Sequence, residues 1–302
     1  MEKIIGFYPG CSLEGTAREY NESVFSLAKL FNIKLEPVPD WNCCGATAAH
    51  NISKKLSLSL PARILSQAET AGMKSLLVPC AACYNRLMVT QHELFENEEL
   101  KSEVEEIMGM GLNSPIRVLN VIQFIQEYIY PGLQEKLSSP FGKKVACYYG
   151  CLLIRPHDVL NFDRTEDPQT MDEAMKMIGA ESIDWPFKTE CCGAGFSVSR
   201  TDLVAKLSGK IIKDACDRGA EAIIVACPMC HSNLDMRRNT IDRLLGYKTE
   251  IPVLYITQAI GLACGLSVKQ TGIQRHIVRV DWQRLNSCLP EKMIKEEEDI
   301  HG

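Results

Sequence analysis

Two adjacent cysteines followed by glycine occur twice in this chain, as Trp41-Asn42-Cys43-Cys44-Gly45 and as Thr189-Glu190-Cys191-Cys192-Gly193. Each pair stands between a lone upstream cysteine and a downstream CxxC. The first set runs Cys11, 31 residues, Cys43-Cys44, 35 residues, Cys80-Ala81-Ala82-Cys83. The second runs Cys151, 39 residues, Cys191-Cys192, 34 residues, Cys227-Pro228-Met229-Cys230. Ten of the fourteen cysteines thus form two equivalent sets of five. A fold for this chain has to be built twice and has to gather five thiols each time.

The duplication reaches beyond cysteine. Ala68 to Cys80 aligns without gaps on Ala215 to Cys227, and Ile116 to Leu119 with Gln123 aligns on Ile251 to Leu254 with Gln258. The repeat is about 140 residues long. Within it, short apolar runs alternate with stretches of helical period. Lys3 to Tyr8 reads as a strand ending at Pro9-Gly10, Thr16 caps a helix through about Phe31, and Ile33 to Val38 is a second strand. Ser53 caps a helix to about Ala71 with Gly72 as its stop, and Ser75 to Val78 is a strand running into Pro79-Cys80. A helix from Tyr84, an acidic stretch from Glu96 to Glu106, a strand at Ile116 to Leu119 and a helical pattern from Val121 to Tyr130 complete the unit.

This alternation predicts the α/β class, as two duplicated Rossmann-like parallel α/β domains. Pro131-Gly132 and Ser138-Ser139-Pro140 mark the boundary, giving residues 1–139 and 140–302, the latter with a C-terminal tail. In such sheets ligand-carrying loops gather beyond the strand C-termini, and all ten cysteines fall on such predicted loops.

Net charge and hydropathy narrow the function classes. A net charge of −5 argues against a generic nucleic-acid binder. The N-terminal apolar run is too short for a signal peptide, and Ile251 to Leu266 falls short of the ~20 residues of a spanning helix. The expectation is a cytoplasmic protein without a membrane span, whose thiols stay reduced and serve metal or redox chemistry. Thiolates are soft ligands suited to zinc or iron–sulfur clusters, each of which ordinarily takes four. Five per half leave either an unusual coordination or four ligands and one reactive thiol.

The runs Tyr8-Pro9-Gly10-Cys11-Ser12, Trp41 to Gly45 and Pro79 to Cys83, followed by Tyr148 to Pro156, Cys191 to Gly195 and Cys227 to Cys230, resemble the CCG-domain proteins and in particular the B-type subunit of heterodisulfide reductase. The resemblance spans Tyr8 to about Cys264. It implies one noncubane [4Fe-4S] cluster per domain, held by Cys11, Cys43, Cys44, Cys80 and Cys83 and by Cys151, Cys191, Cys192, Cys227 and Cys230. It further implies an oxidoreductase that cleaves a disulfide between the clusters, of the CoM-S-S-CoB type or related, as one member of a heterodisulfide reductase-like complex. A ferredoxin-like subunit would be the immediate electron donor and a flavin-containing subunit would stand behind it. The Cys-Cys-Gly-Ala form of the first pair is closest to versions outside methanogens, which favours another disulfide or a protein-borne sulfur carrier. The alternative is an electron-transfer or docking protein that meets no small substrate, or a zinc scaffold.

No Gly-x-Gly-x-x-Gly lies between a strand and a helix, so no dinucleotide fingerprint is present. Cys147, four residues before Cys151, competes with it as the lone cysteine; Gly10-Cys11 matching Gly150-Cys151 favours Cys151. Cys216, Cys264 and Cys288 have no partner in the other half and read as structural. His231, directly after Cys230, is a candidate proton donor or a packed histidine. Arg155 and His157 are candidates for an anionic substrate, and the run Glu296 to Asp299 reads as a solvated face.

Overall fold

The computed structural model describes residues 3–280. Cys288, the run Glu296 to Asp299 and the end of the 140–302 segment lie outside the described residues. Two four-stranded parallel sheets share one plan. The first has β1 (Lys3–Phe7), β2 (Ile33–Pro37), β3 (Ser75–Leu77) and β4 (Arg117–Leu119) in the order β2-β1-β3-β4. The second has β5 (Lys144–Tyr148), β6 (Glu181–Ser182), β7 (Ala222–Val225) and β8 (Val253–Tyr255) in the order β6-β5-β7-β8. Parallel strands packed on both faces are apolar throughout, and β7 is buried along its whole length.

The sequence repeat has a structural cause. The helices Lys54–Thr70 and Thr201–Asp217, each of 17 residues, end in the same place relative to β3 and β7 and deliver Cys80 and Cys227 at matching positions. Ser53 caps the first, its Oγ accepting from the Leu56 N–H at 3.4 Å. Gln123 and Gln258 recur because each side chain accepts the backbone N–H at its own helix start, from Asn120 at 3.0 Å and Tyr255 at 2.9 Å.

Three local expectations are corrected. Thr16 caps nothing: the helix Arg18–Leu30 starts after Ala17 without a side-chain cap. Pro131 and Gly132 are helical, inside Tyr130–Lys136, because a proline in the first turn needs no N–H partner. Not all ten cysteines are on loops. Cys11 lies in the short helix Gly10–Glu14, while Cys83 and Cys230 lie in the first turns of Ala81–Glu96 and Pro228–Asp235. The first cysteine of each CxxC is the residue preceding its helix, and Pro228 presets the φ of the first helical position.

The two halves are packed together. The helix Arg18–Leu30 lies against Ile256–Ala263, where Ser23 Oγ and Thr257 Oγ1, both fully buried, are 2.7 Å apart. The Asn85 amide crosses to donate to the carbonyls of Leu152 at 3.1 Å and Arg155 at 2.6 Å, holding the segment that follows Cys151.

Candidate metal centres

The strand ends β1 and β5 turn at Gly10 and Gly150, placing Cys11 and Cys151 immediately beyond them. A Cβ at either glycine would stand 3.1 Å from a sulfur, that of Cys83 or of Cys230. The glycines of the two Cys-Cys-Gly motifs are fixed by conformation and space together. Gly45 has φ +73° and Gly193 φ +83°, the left-handed region that glycine enters without steric cost. Their N–H groups turn back on the first sulfur of each pair, 3.4 Å from Cys43 Sγ and 3.3 Å from Cys191 Sγ.

The thiols converge in two groups. Cys44 and Cys83 sulfurs are 3.1 Å apart, and those of Cys192 and Cys230 are 3.6 Å apart. Cys43 interacts with Cys44 and Cys11, and Cys80 with Cys83; in the second group Cys151 interacts with Cys191, and Cys227 with Cys230. The groups adjoin at Cys80 and Cys227, because the carbonyls just before them, Pro79 and Ala226, lie 3.4 Å from the same Tyr20 hydroxyl. Cys44, Cys80, Cys83, Cys192, Cys227 and Cys230 are buried, Cys11, Cys43 and Cys191 are exposed and Cys151 is half-buried. Each set therefore has three inner and two outer thiols.

Shared protons set their charges. The neighbouring thiol of Cys43, then that of Cys83, holds Cys44 well below the ordinary cysteine range. Cys230 and Cys80 do the same for Cys227, and hydrogen bonding from Cys151 brings Cys191 down to about 6. Backbone N–H groups of Gly193 and Ala194 add to the effect at Cys191, and those of Met229 and Cys230 at Cys227. The thiols that stabilise a neighbouring thiolate are themselves pushed up, as at Cys83 and Cys230. Such an all-sulfur donor set fits a soft-metal group that displaces the remaining protons on binding. Among the described residues, no group of three or more His, Cys, Asp or Glu side chains surrounds a single ion-sized point.

Two tyrosines missed in the sequence brace the sets. Tyr8 OH donates to the Asn42 carbonyl at 2.8 Å and Tyr148 OH to the Glu190 carbonyl at 2.6 Å, each tying a strand end to the loop that carries a cysteine pair. The signal was available, since each stands three residues before the lone cysteine. Tyr20 had no such signal. Fully buried, it stacks on Tyr255 with ring centres 3.9 Å apart, and its hydroxyl lies 3.4 Å from the carbonyls of both Pro79 and Ala226, the residues before Cys80 and Cys227. Tyr20→Phe keeps the stack and strips both carbonyls of their shared donor. It is expected to destabilise the protein by about 1–3 kcal/mol, read as a lower urea midpoint; an unchanged midpoint would show that the hydroxyl ties nothing together.

The remaining candidates sit apart from the thiol contacts. His231 is buried, its Nε2 is 3.1 Å from the Val253 carbonyl and its ring stacks on Tyr255 at 4.4 Å. Burial lowers its pKa to about 3, so it holds no imidazolium proton to deliver near neutral pH. Cys147 lies within β5, buried beside Ser182, whose Oγ is 3.5 Å from its sulfur. Cys216 ends the helix Thr201–Asp217 next to Asp217, and Cys264 follows Ile256–Ala263. Arg155 pairs with Glu166 at 3.1 Å, and His157 opens the short helix His157–Leu160.

A family profile described as "Cysteine-rich domain" (CCG) matches residues 5–88 and 145–235, the segments that carry the two thiol sets. The chain belongs to the CCG family. Within it, the chain is a member of the group formed by the B-type subunits of heterodisulfide reductase. It is 33% identical over 250 residues to the B-type subunit of the ferredoxin/F(420)H(2)-dependent CoB-CoM heterodisulfide reductase of Methanosarcina acetivorans, covering 80% of this chain and 83% of that protein. It is also 27% identical over 282 residues to the 8-methylmenaquinol:fumarate reductase membrane anchor subunit of Wolinella succinogenes, covering 92% of this chain and 98% of that one. A solved structure of a hypothetical protein from Helicobacter pylori has the same fold, with a TM-score of 0.75 at 16% identity. The match covers 93% of this CCG chain, which spans about half, 53%, of that one. Among the described residues no helix is long and apolar enough to cross a membrane.

Proposed function

We propose that this CCG protein is the disulfide-cleaving component of a cytoplasmic heterodisulfide reductase-like complex, with one noncubane four-iron cluster in each thiol set. The ligands would be Cys11, Cys43, Cys44, Cys80 and Cys83 in the first and Cys151, Cys191, Cys192, Cys227 and Cys230 in the second. The observation that carries this reading is the adjacency of the two thiol sets, whose Cys80 and Cys227 directly follow the Pro79 and Ala226 carbonyls that share the Tyr20 hydroxyl at 3.4 Å. The clusters would supply one electron each and iron as a site for sulfur.

The chain's own residues do the rest. Tyr20 and Asn85 fix the spacing of the two sets, the inner thiols are shielded from water, and the outer thiols Cys11, Cys43, Cys151 and Cys191 mark the side a disulfide can approach. Cleaving R–S–S–R′ consumes two electrons and two protons and yields two thiols, so two one-electron centres match the stoichiometry. The partners of this reading are a ferredoxin-like subunit as immediate donor and a flavin-containing subunit behind it. The substrate is a disulfide of the CoM-S-S-CoB type or a related one.

The Wolinella relative supports a second reading, in which the protein relays electrons and meets no small disulfide. Anaerobic purification followed by iron, zinc and sulfide analysis and electron paramagnetic resonance separates the cases. About eight irons and eight sulfides per chain, a signal altered by added thiols and dithionite-driven disulfide cleavage are expected. Clusters blind to thiol and inactive toward disulfides would favour the relay; two zincs without sulfide would overturn both.

A further inference from the structure

The repeat allows one half to be compared with the other away from the thiols. In the first half, the helix Lys54–Thr70 packs against the helix Glu98–Met108, an acidic amphipathic element whose Val104 is fully buried. Ion pairs stitch this cover down: Glu103 to Lys55 and Glu93, on the preceding helix, to Lys54, both at 3.1 Å. The counterpart helix Thr201–Asp217 packs against Arg238–Leu245, which has 8 residues against 11. The helix before that is also shorter, 8 residues against 16.

What remains beside Thr201–Asp217 is an open apolar groove of about 420 Å³ with Leu203, Leu207 and Leu244 in its lining. Lys206, Lys210 and Lys213 stand along it, at a 4- and 3-residue spacing that keeps them on one helix face. Matching the two 17-residue helices end to end places these lysines opposite Ser59, Arg63 and Ser66. There, both serines are buried and Arg63 is paired with Asp40. Lys213 pairs with Asp217, while Lys206 and Lys210 are exposed cations on a chain of net charge −5. Leu244 is 51% exposed at the groove edge. The groove also backs onto a thiol set, because Leu207 packs on Gly193 of the second Cys-Cys-Gly just as Leu60 packs on Gly45.

We infer that this groove receives an acidic amphipathic helix of a partner polypeptide, so that the second half takes from outside the kind of cover the first half makes for itself. Apolar side chains of the incoming helix fill the space over Leu203 and Leu244, and its carboxylates meet Lys206 and Lys210. For its role the inference rests on the proposed function: the partner is the electron-donating subunit, docked against the second thiol set.

The test uses the complex isolated anaerobically from the source cells, with the full chain either unaltered or carrying Lys206→Glu with Lys210→Glu, or Leu244→Ser. Zero-length carbodiimide cross-linking is expected to join Lys206 or Lys210 to carboxylates on one helix of a co-isolated polypeptide. The double charge reversal should lower retention of that polypeptide at least tenfold and make residual retention insensitive to salt, with an unchanged thermal midpoint. Partner-driven reduction should fall in parallel while dithionite-driven reduction stays as it was. Full retention by the double variant, cross-links to a second copy of this chain, capture by anionic phosphatidylglycerol vesicles without effect on the complex, or absence of any co-isolated polypeptide would overturn it. If the variants shed the partner but dithionite drives no disulfide cleavage, the docking surface stands and the catalytic reading fails.

Discussion

Gly45→Val is expected to abolish the first thiol set and leave the second. The backbone there has φ +73°, and a Cβ would stand 2.7 Å from Ala49 Cβ and 2.8 Å from Leu60 Cδ1. A β-branched residue adds left-handed strain of about 1–3 kcal/mol and overpacking of a similar size. Together these take roughly 2–6 kcal/mol from a stability of about 5–15 kcal/mol, the ordinary range for a domain. Since the turn presents both Cys43 and Cys44, metal in the soluble protein should fall to about half while the spectroscopic signal of the second set persists. Wild-type metal content at unchanged stability would refute this account of the motif's glycine. Gly193→Val gives the complementary loss with a milder clash, the nearest contact being Leu207 Cδ1 at 3.2 Å.

Lys188→Met acts on the second set from behind. Lys188 and Asp172 are both buried, 3.4 Å apart, and Asp172 also accepts from Tyr149 OH at 2.7 Å and Ser182 Oγ at 2.6 Å. Lys188 Nζ donates in addition to Asp167 at 2.9 Å and to the Pro168 carbonyl at 3.0 Å. The Lys188 carbonyl accepts from the N–H groups of Tyr149 and Gly150, which joins the approach to Cys191 to the approach to Cys151. Removing the ammonium strands a buried carboxylate, and about 3–5 kcal/mol of stability should be lost. Urea unfolding at pH 7 measures it. Lys188→Met combined with Asp172→Leu should recover most of the loss, because no charge is then left unpaired. A single variant less than about 1 kcal/mol below wild type would mean that the pair behaves as a surface ion pair.

The parallel α/β class and the two sets of five cysteines were legible in the sequence, because apolar patterning and cysteine spacing are local signals, whereas β6, only Glu181 and Ser182, left no such signal. Ile33 to Pro37 announces itself by alternation of apolar and charged residues, and Ala222 to Val225 by an unbroken apolar run. The two sets of five were found by counting, their reading as ligands came from the family resemblance, and in the structure Cys44 meets Cys83 and Cys192 meets Cys230. Capping by Thr16 failed because hydroxyl residues mark helix starts only statistically, and packing of the fully buried Tyr20 and Val24 fixes that helix without a side-chain cap. The loop assignment of Cys83 and Cys230 failed because a helix beginning immediately after the first cysteine of a CxxC leaves no break in the sequence pattern. Tyr20, Asn85 and the Lys188–Asp172 pair were invisible for a different reason. Each acts on residues far along the chain, and single-sequence periodicity carries no information about which distant groups will meet.

The seam also imposes an order on the protein's synthesis. When the first sheet has been translated, Tyr20 still lacks the Ala226 carbonyl 206 residues ahead, Ser23 lacks Thr257 at 234 residues, and the Asn85 amide lacks acceptors at 67 and 70 residues. These polar groups stay hydrated until their partners leave the ribosome. The nascent first half is therefore a template with an open face, and Cys80 acquires its neighbour Cys227 only after more than two thirds of the chain has been made. Cofactor assembly on the first set, if begun during translation, would start against water at the surface where the finished protein has a second sulfur group.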